Sequence, residues 1–268
     1  MSSRFACSSE TFCVWIVSAA SRSFFAERYR TGNTVVAIAG AIDVDDVVAR
    51  VEKAFAALAP GDGRAPRDAP EGVGRSLELE DETEQMHIVV GGRSLRRDDP
   101  DREALDIVNH VLGGGLSSRL FDEIRERRGL AYSVFSNAAA YADSGMWSVY
   151  AGTLPDNAEI VRRLITNELD RLVTDGITAE ELAIAQGYLT GSYEMGLEDS
   201  SARMSRLGGQ LTVLGRVRPV EDQLARWEAV TLADTERVIG RVYAATPLTV
   251  TLGPRAARSR SRRVRSHA

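Results

Sequence analysis

From Pro155 to Ala244 the chain reads as one helix after another. Such a run excludes a doubly wound parallel sheet, in which strands and helices alternate. A long helix opens at Pro155, where a first-turn proline forfeits no hydrogen bond, and it ends at Gly176. Thr178 to Glu181 spells a capping box, Thr-x-x-Glu, which opens the next helix. Asp199 to Leu214, Val220 to Ala229 and Leu232 to Ala244 continue at helical spacing. The strands instead come in neighbouring pairs. Ala131 to Ala140 and Gly145 to Thr153 read as a hairpin joined at Tyr141 to Ser144, with further strands at Met86 to Gly91 and Pro247 to Gly253. The pattern predicts an α+β fold, a mostly antiparallel sheet with helices packed on one face.

Upstream, the pattern divides. Phe24 to Arg30 reads as a short helix, and Asn33 to Ala41, apolar and rich in β-branched residues, as a buried strand. Asp43 is a good N-cap for a helix carrying Val44, Val47, Val48, Val51, Phe55 and Leu58, ending near Ala59. Pro60 to Gly74 mixes proline and glycine with charge and reads as a linker. The expected organisation is an unassigned segment 1–22, a strand-and-helix unit 23–59, a linker 60–76, a domain 77–254 and a basic disordered tail 255–268. Phe12 to Ala20 is apolar but too short to span a bilayer. It reads into a strand-like pattern more readily than as a signal-peptide core.

Composition excludes much chemistry. The chain has 3 histidines, His87, His110 and His267, too far apart in sequence to share one helical turn. It has 2 cysteines, Cys7 and Cys13, which make no disulfide framework and point to a reducing, cytoplasmic compartment. A single-chain zinc enzyme draws several ligands from His, Glu, Asp or Cys, two of them close together on a helix. No metal site is expected from these residues. Gly-x-Ser-x-Gly is absent, so a serine-hydrolase elbow is absent too. The net charge of −5 conceals a basic end: Arg255, Arg258, Arg260, Arg262, Arg263 and Arg265 sit on an otherwise acidic chain. An acidic body with a basic tail does not describe a dedicated nucleic-acid binder, and no nucleic-acid or membrane partner is expected.

The most distinctive stretch runs from Leu112 to Val134, Leu-Gly-Gly-Gly-Leu-Ser-Ser-Arg-Leu-Phe-Asp-Glu-Ile-Arg-Glu-Arg-Arg-Gly-Leu-Ala-Tyr-Ser-Val. The helix before it is expected over Asp101 to Leu112, the glycines as a loop, and a charged helix from Leu116 to Arg128. A phosphate loop would need a Lys that is missing here. Gly113, Gly114 and Gly115 instead offer close backbone approach and free N–H groups, which would cradle an extended peptide or simply flex. The stretch resembles the C-terminal half of the insulinase, pitrilysin and mitochondrial processing peptidase family of zinc metallopeptidases. Residues 28 to 40, Arg-Tyr-Arg-Thr-Gly-Asn-Thr-Val-Val-Ala-Ile-Ala-Gly, resemble the end of that family's N-terminal domain. Leu197 to Leu207 is similar to its bacterial processing-protease branch.

The resemblance implies a processing-peptidase fold, with zinc held elsewhere. Active members carry an inverted motif, His-x-x-Glu-His, near their N-terminus, and this chain lacks it. The chain is therefore expected to start beyond the zinc site and to be inactive alone, with zinc only in a missing half or partner. What carries over is an Arg and a Tyr seven residues apart, Arg125 and Tyr132, which hold the substrate backbone in the family. A guanidinium fork and a phenol both donate to peptide carbonyls and to a developing oxyanion. Ser133, Val134 and Phe135 would then line a chamber. The alternative keeps Arg125 paired with Asp122 or another neighbour on its own helix and Tyr132 packed on the sheet.

His87 and His110 read as structural, Trp147 and Tyr150 as residues on opposite faces of a strand, and Met195 and Met204 as core fillers. Glu194 and Glu198 read as a solvated face. The expected partners are a peptide substrate and a zinc-bearing homologous half or subunit. A catalytically inactive binding or scaffold subunit, or a truncated fragment, is the alternative function. Purified alone, the chain is expected to show neither stoichiometric zinc by metal analysis nor peptide cleavage; tight zinc together with activity would overturn that reading.

Overall fold

The computed structural model describes residues 19–62, 68–70 and 74–254. The expectations for residues 1–18 and for the basic tail lie outside them. The chain forms two compact units, Met1–Pro66 and Arg67–Ala268. Among the described residues no helix is long and apolar enough to cross a membrane.

In the first unit, α1 (Ala19–Arg28) precedes a short 3-10 turn, Thr31–Asn33, and then α2 (Val44–Phe55). Asp43 caps α2, its side chain accepting from the Asp46 N–H. Thr31 and Gly32 donate backbone hydrogen bonds to Ala59 and Gly61 (3.1 and 3.0 Å). The strand expected at Asn33 to Ala41 is not present as a paired strand. The backbone there joins no ladder among the described residues, and Val36 and Ile38 are 44% and 41% exposed. β-branched residues favour an extended backbone, but a strand also requires a hydrogen-bonding neighbour, and the described part of this unit supplies none.

The second unit is built on β1 (Leu77–Glu80), β2 (Met86–Ser94), β3 (Ala131–Ala140), β4 (Gly145–Thr153) and β5 (Leu248–Gly253). Their order across the sheet is β1-β5-β2-β4-β3. Only β1 and β5 run parallel; the other three pairings are antiparallel. The β3–β4 hairpin keeps the bounds read from sequence, while β2 extends beyond Gly91 to Ser94.

Helices α3 (Arg102–Asn109), α4 (Ala158–Asp175), α5 (Ala179–Gly196), α6 (Ser200–Leu214), α7 (Val220–Glu228) and α8 (Leu232–Val242) make up the rest. The helix expected from Pro155 begins as a 3-10 turn, Pro155–Asn157, before α4. The Thr178–Glu181 capping box is formed in both directions.

Strand alternation decides which face is covered. Ile88 and Val90 of β2, and Trp147, Val149 and Ala151 of β4, are buried in one cluster with Leu105, Val108, Val161, Ile165 and Val238 from α3, α4 and α8. The intervening residues, His87, Val89, Ser148 and Tyr150, are only half-buried. Helices therefore cover one face, as expected for this fold class. Trp147 packs on Tyr243 at 4.8 Å between ring centroids, while Tyr150 faces the other way. Met195 and Met204, expected in the core, are exposed (67% and 38%). They lie at the end of α5 and in α6, and α6 buries no residue at all, so helical periodicity there marks a surface layer rather than a core.

Ionic contacts tie this layer together. Glu103, on the buried side of α3, has a side chain 6% exposed. It accepts from Arg226 of α7 (2.7 and 2.8 Å) and from Arg218 (2.8 Å). Burial alone would raise its pKa, but the hydrogen bond and charge of Arg226, with Arg218 behind, outweigh that and hold the carboxyl below its usual range. Asp101 is held low by Arg237, against its own burial, and by Arg241. A lowered carboxylate stabilises the fold above its ordinary pKa and loses that contribution as pH falls through the lowered value. Glu103→Gln leaves Arg218 largely buried without its counter-charge and is expected to cost about 3–5 kcal/mol in urea unfolding at neutral pH. The parent is expected to lose stability as pH falls below the ordinary carboxylate range, and the variant to lose less over the same range.

Candidate substrate-binding site

The glycine-rich stretch is wound more tightly into the fold than a loop. α3 runs on into a π-helical turn, His110–Gly114, which includes Gly113 and Gly114; Gly115 is extended. Gly113 is buried against β3. A Cβ there would lie 2.6 Å from the Ser136 backbone nitrogen, so only glycine lets the turn touch the strand. Ser136 Oγ donates to the Asn109 carbonyl at 2.8 Å from the other side of the same contact. Gly114 is exposed, and Gly114 and Gly115 wrap the His110 ring. That ring is buried and stacked on Tyr188 at 4.2 Å, and burial pushes its pKa down.

The charged helix also departs from a regular one. Helix begins at Arg119 rather than Leu116 and becomes a π-helical turn over Phe121–Glu126. It stops at Gly129, whose φ of +61° reverses the chain. The Gly129 N–H donates to Arg125 and the Leu130 N–H to Ile124, both at 3.0 Å. The reversal leads directly into β3, which starts with a bulge. Ala131 pairs with Thr153 and Ser133 with Gly152, leaving Tyr132 as the extra residue.

Arg125 and Tyr132 meet across this corner. Arg125 Nη1 donates to the Tyr132 carbonyl at 3.0 Å. The guanidinium carbon lies 4.6 Å from the Tyr132 ring centroid and 4.7 Å from that of Phe121. Two ring faces and a carbonyl thus orient the fork. Of the alternative partners, Asp122 pairs with Arg127 at 2.7 Å, while a helix neighbour, Glu126, makes a loose ion pair with Arg125 at 3.9 Å. Tyr132 does not pack onto the sheet; it is 78% exposed. Sequence reasoning had missed Phe121, one turn before Arg125, and the bulge.

The corner adjoins the open sheet face. Ser133 and Phe135 are exposed on β3, which forms one edge of the sheet, while Val134 points into the core. Phe135 packs on Tyr150 at 5.2 Å between centroids, and the Tyr150 hydroxyl meets His87 Nδ1 at 2.8 Å. Both described histidines are therefore engaged with tyrosines. No group of three or more His, Cys, Asp and Glu suited to a metal occurs among the described residues, so these residues do not fit a catalytic zinc ion.

An α+β unit with one covered sheet face and an ordered Arg–Tyr corner beside the open one is the class of structure defined so far. The sequence pattern of the peptidase M16 inactive domain matches residues 17–189, and the chain belongs to that family. It is 39% identical over 241 residues to an uncharacterised zinc protease of Streptomyces coelicolor, covering 87% of this chain and 52% of that protein. It is 34% identical over 219 residues to the uncharacterised zinc protease YmxG of Bacillus subtilis, covering 82% and 53%. The chain thus spans about half the length of the curated relatives it matches. Among solved structures, a peptidase M16 inactive domain from Pseudomonas fluorescens superposes with a TM-score of 0.81 at 25% identity, over 91% of this chain and 59% of that one.

Gly113→Ala is expected to destabilise the second unit by about 1–3 kcal/mol, because the added methyl must displace β3 at Ser136. Gly114→Ala, on the exposed side of the turn, is the comparison. Equal thermal melting of the two variants would show that the close approach is not what holds the turn.

Proposed function

We propose that this chain is the substrate-gripping half of a two-part zinc peptidase, with the metal and the general base supplied by another half or subunit. The observation that carries this reading is the Arg125–Tyr132 corner. Its guanidinium is held by two rings and one carbonyl, with Glu126 the nearest carboxylate at 3.9 Å, beside an exposed phenol. In this role Arg125 and the Tyr132 hydroxyl donate to carbonyl oxygens of a bound peptide and to the oxyanion that develops at the scissile carbon. The edge of β3 that pairs with no strand among the described residues, and the open face around Ser133 and Phe135, receive the extended chain in this role. Of the glycines, Gly114 and Gly115 would border the peptide in this reading, whereas buried Gly113 serves the turn itself. The residues before the linker belong, in this reading, to the end of the zinc-bearing half. A cytoplasmic setting goes with the same proposal and rests on the small number of cysteines.

Mixing the chain with a homologous half that carries His-x-x-Glu-His tests the proposal. Cleavage of a fluorogenic peptide is expected only in the mixture. Arg125→Ala should then lower the reconstituted kcat about 10- to 100-fold and Tyr132→Phe about tenfold, with unchanged circular dichroism. Peptide binding without any cleavage in the mixture would favour an inactive binding subunit. Unchanged rates in both variants would make the corner purely structural.

A further inference from the structure

Helix α5 grips the segment that builds the Arg125–Tyr132 corner at two places. At one, Tyr188 stacks on the buried His110 ring, within the π-helical turn that precedes the corner. At the other, the first turn of α5 meets Arg119, the residue at which the helix carrying Arg125 begins. Arg119 Nε and Nη2 donate to the two carboxylate oxygens of Glu181 at 2.6 and 2.7 Å, and Nη2 also donates to the Gly176 carbonyl at 2.9 Å. The pair joins residues 62 positions apart, and its side chains are only 15% and 27% exposed.

The acceptors are fixed before Arg119 reaches them. Glu181 closes the α5 capping box, and its Oε2 accepts from the Thr178 N–H at 2.8 Å, so the helix end holds its carboxylate in place. Gly176 is followed by Ile177, whose side chain is buried in the core. The fork adds direction to a helix that packing alone does not orient. Leu120 and Ile124, both fully buried, hold one stripe of it against the core. Apolar packing is non-directional, whereas a forked ion pair fixes distance and angle together. Phe121 stands two residues after Arg119, and Arg125 one turn further on. A rotation set at Arg119 is therefore carried to both the ring and the guanidinium of the corner.

We propose that Arg119 is a positioning residue: through its fork on Glu181 and Gly176 it sets the rotation of this helix and so holds the Arg125 guanidinium between Phe121 and Tyr132. Its effect on catalysis rests on the substrate-gripping role of the corner; its effect on the Arg125 geometry does not.

Glu181→Gln and Arg119→Lys in the full chain separate the fork from the helix cap. Glutamine still closes the capping box but brings no charge, and lysine keeps the charge but cannot fork. In both variants the Arg125 Nε–H signal of a proton–nitrogen NMR correlation spectrum, assigned by its loss in Arg125→Lys, is expected to move toward the signals of exposed arginines as the guanidinium leaves the two rings. In the mixture with a zinc-bearing half and a fluorogenic peptide, kcat is expected to fall about tenfold, with KM changed less, because misplacing a positioned group by about 1 Å is enough to cost that much. Glu159→Gln removes an equally forked but exposed pair with Arg162 on α4 (3.0 and 2.6 Å) and should change neither readout. An Arg125 signal unmoved in both variants, or an unchanged kcat where Arg125→Ala still lowers it, would overturn the positioning role and leave the corner's own role standing. A kcat indifferent to Arg125→Ala would sink the peptidase reading instead, and the NMR signal would still decide the geometry. If Glu181→Gln fails to fold, Arg119→Lys decides.

Discussion

Everything in the second unit depends on burying one face of a five-stranded sheet and leaving the other open. Ile88, Val90, Trp147, Val149 and Ala151 alternate with residues that stay half-exposed, so the apolar driving force acts from one side only. α3, α4 and α8 satisfy it. The corner that carries Arg125 and Tyr132 adjoins the face that these three helices leave uncovered. The same asymmetry explains why the π-helical turn at His110–Gly114 must approach β3 so closely. It joins the helical layer to the edge strand, and Gly113 is the residue whose missing Cβ permits the contact.

A second principle organises the helical layer. α6 contributes no buried residue and α5 only Ala185, so hydrophobic packing alone does little to hold them or the segment that follows. Buried carboxylates on and before α3 reach the segment after α6 and helices α7 and α8. Glu103 gathers Arg218 and Arg226, and Asp101 gathers Arg237 and Arg241, linking residues more than a hundred positions apart. Such pairs stabilise only when each charge keeps its partner, which makes the layer sensitive to single substitutions.

The hairpin of β3 and β4 was legible to the residue because alternation, a four-residue turn and flanking glycine all pointed the same way. The capping box at Thr178 and the cap at Asp43 were legible for a similar reason: each is decided within a few residues. Asn33 to Ala41 failed because pairing is not a local property. Its valines and isoleucine set a preference for extension, and nothing in the segment reports whether a neighbouring strand exists. Met195 and Met204 failed because periodicity names an apolar stripe but not what covers it.

For the candidate site the division is similar. The sequence by itself determined which groups are available: an Arg and a Tyr seven apart, a glycine run, two strands able to pair, and too few clustered ligands for a zinc site. Those follow from residue identity and short-range spacing. Tertiary structure alone decided that Phe121 and Tyr132 both face the Arg125 guanidinium, that a bulge rather than a regular pair presents Tyr132, and that Asp122 turns to Arg127 instead. Winding into a π-turn shifts every side chain around the helix axis, and a bulge shifts every residue across the strand. Neither rotation is written in spacing; both come from how the helix end must dock on the edge of the sheet.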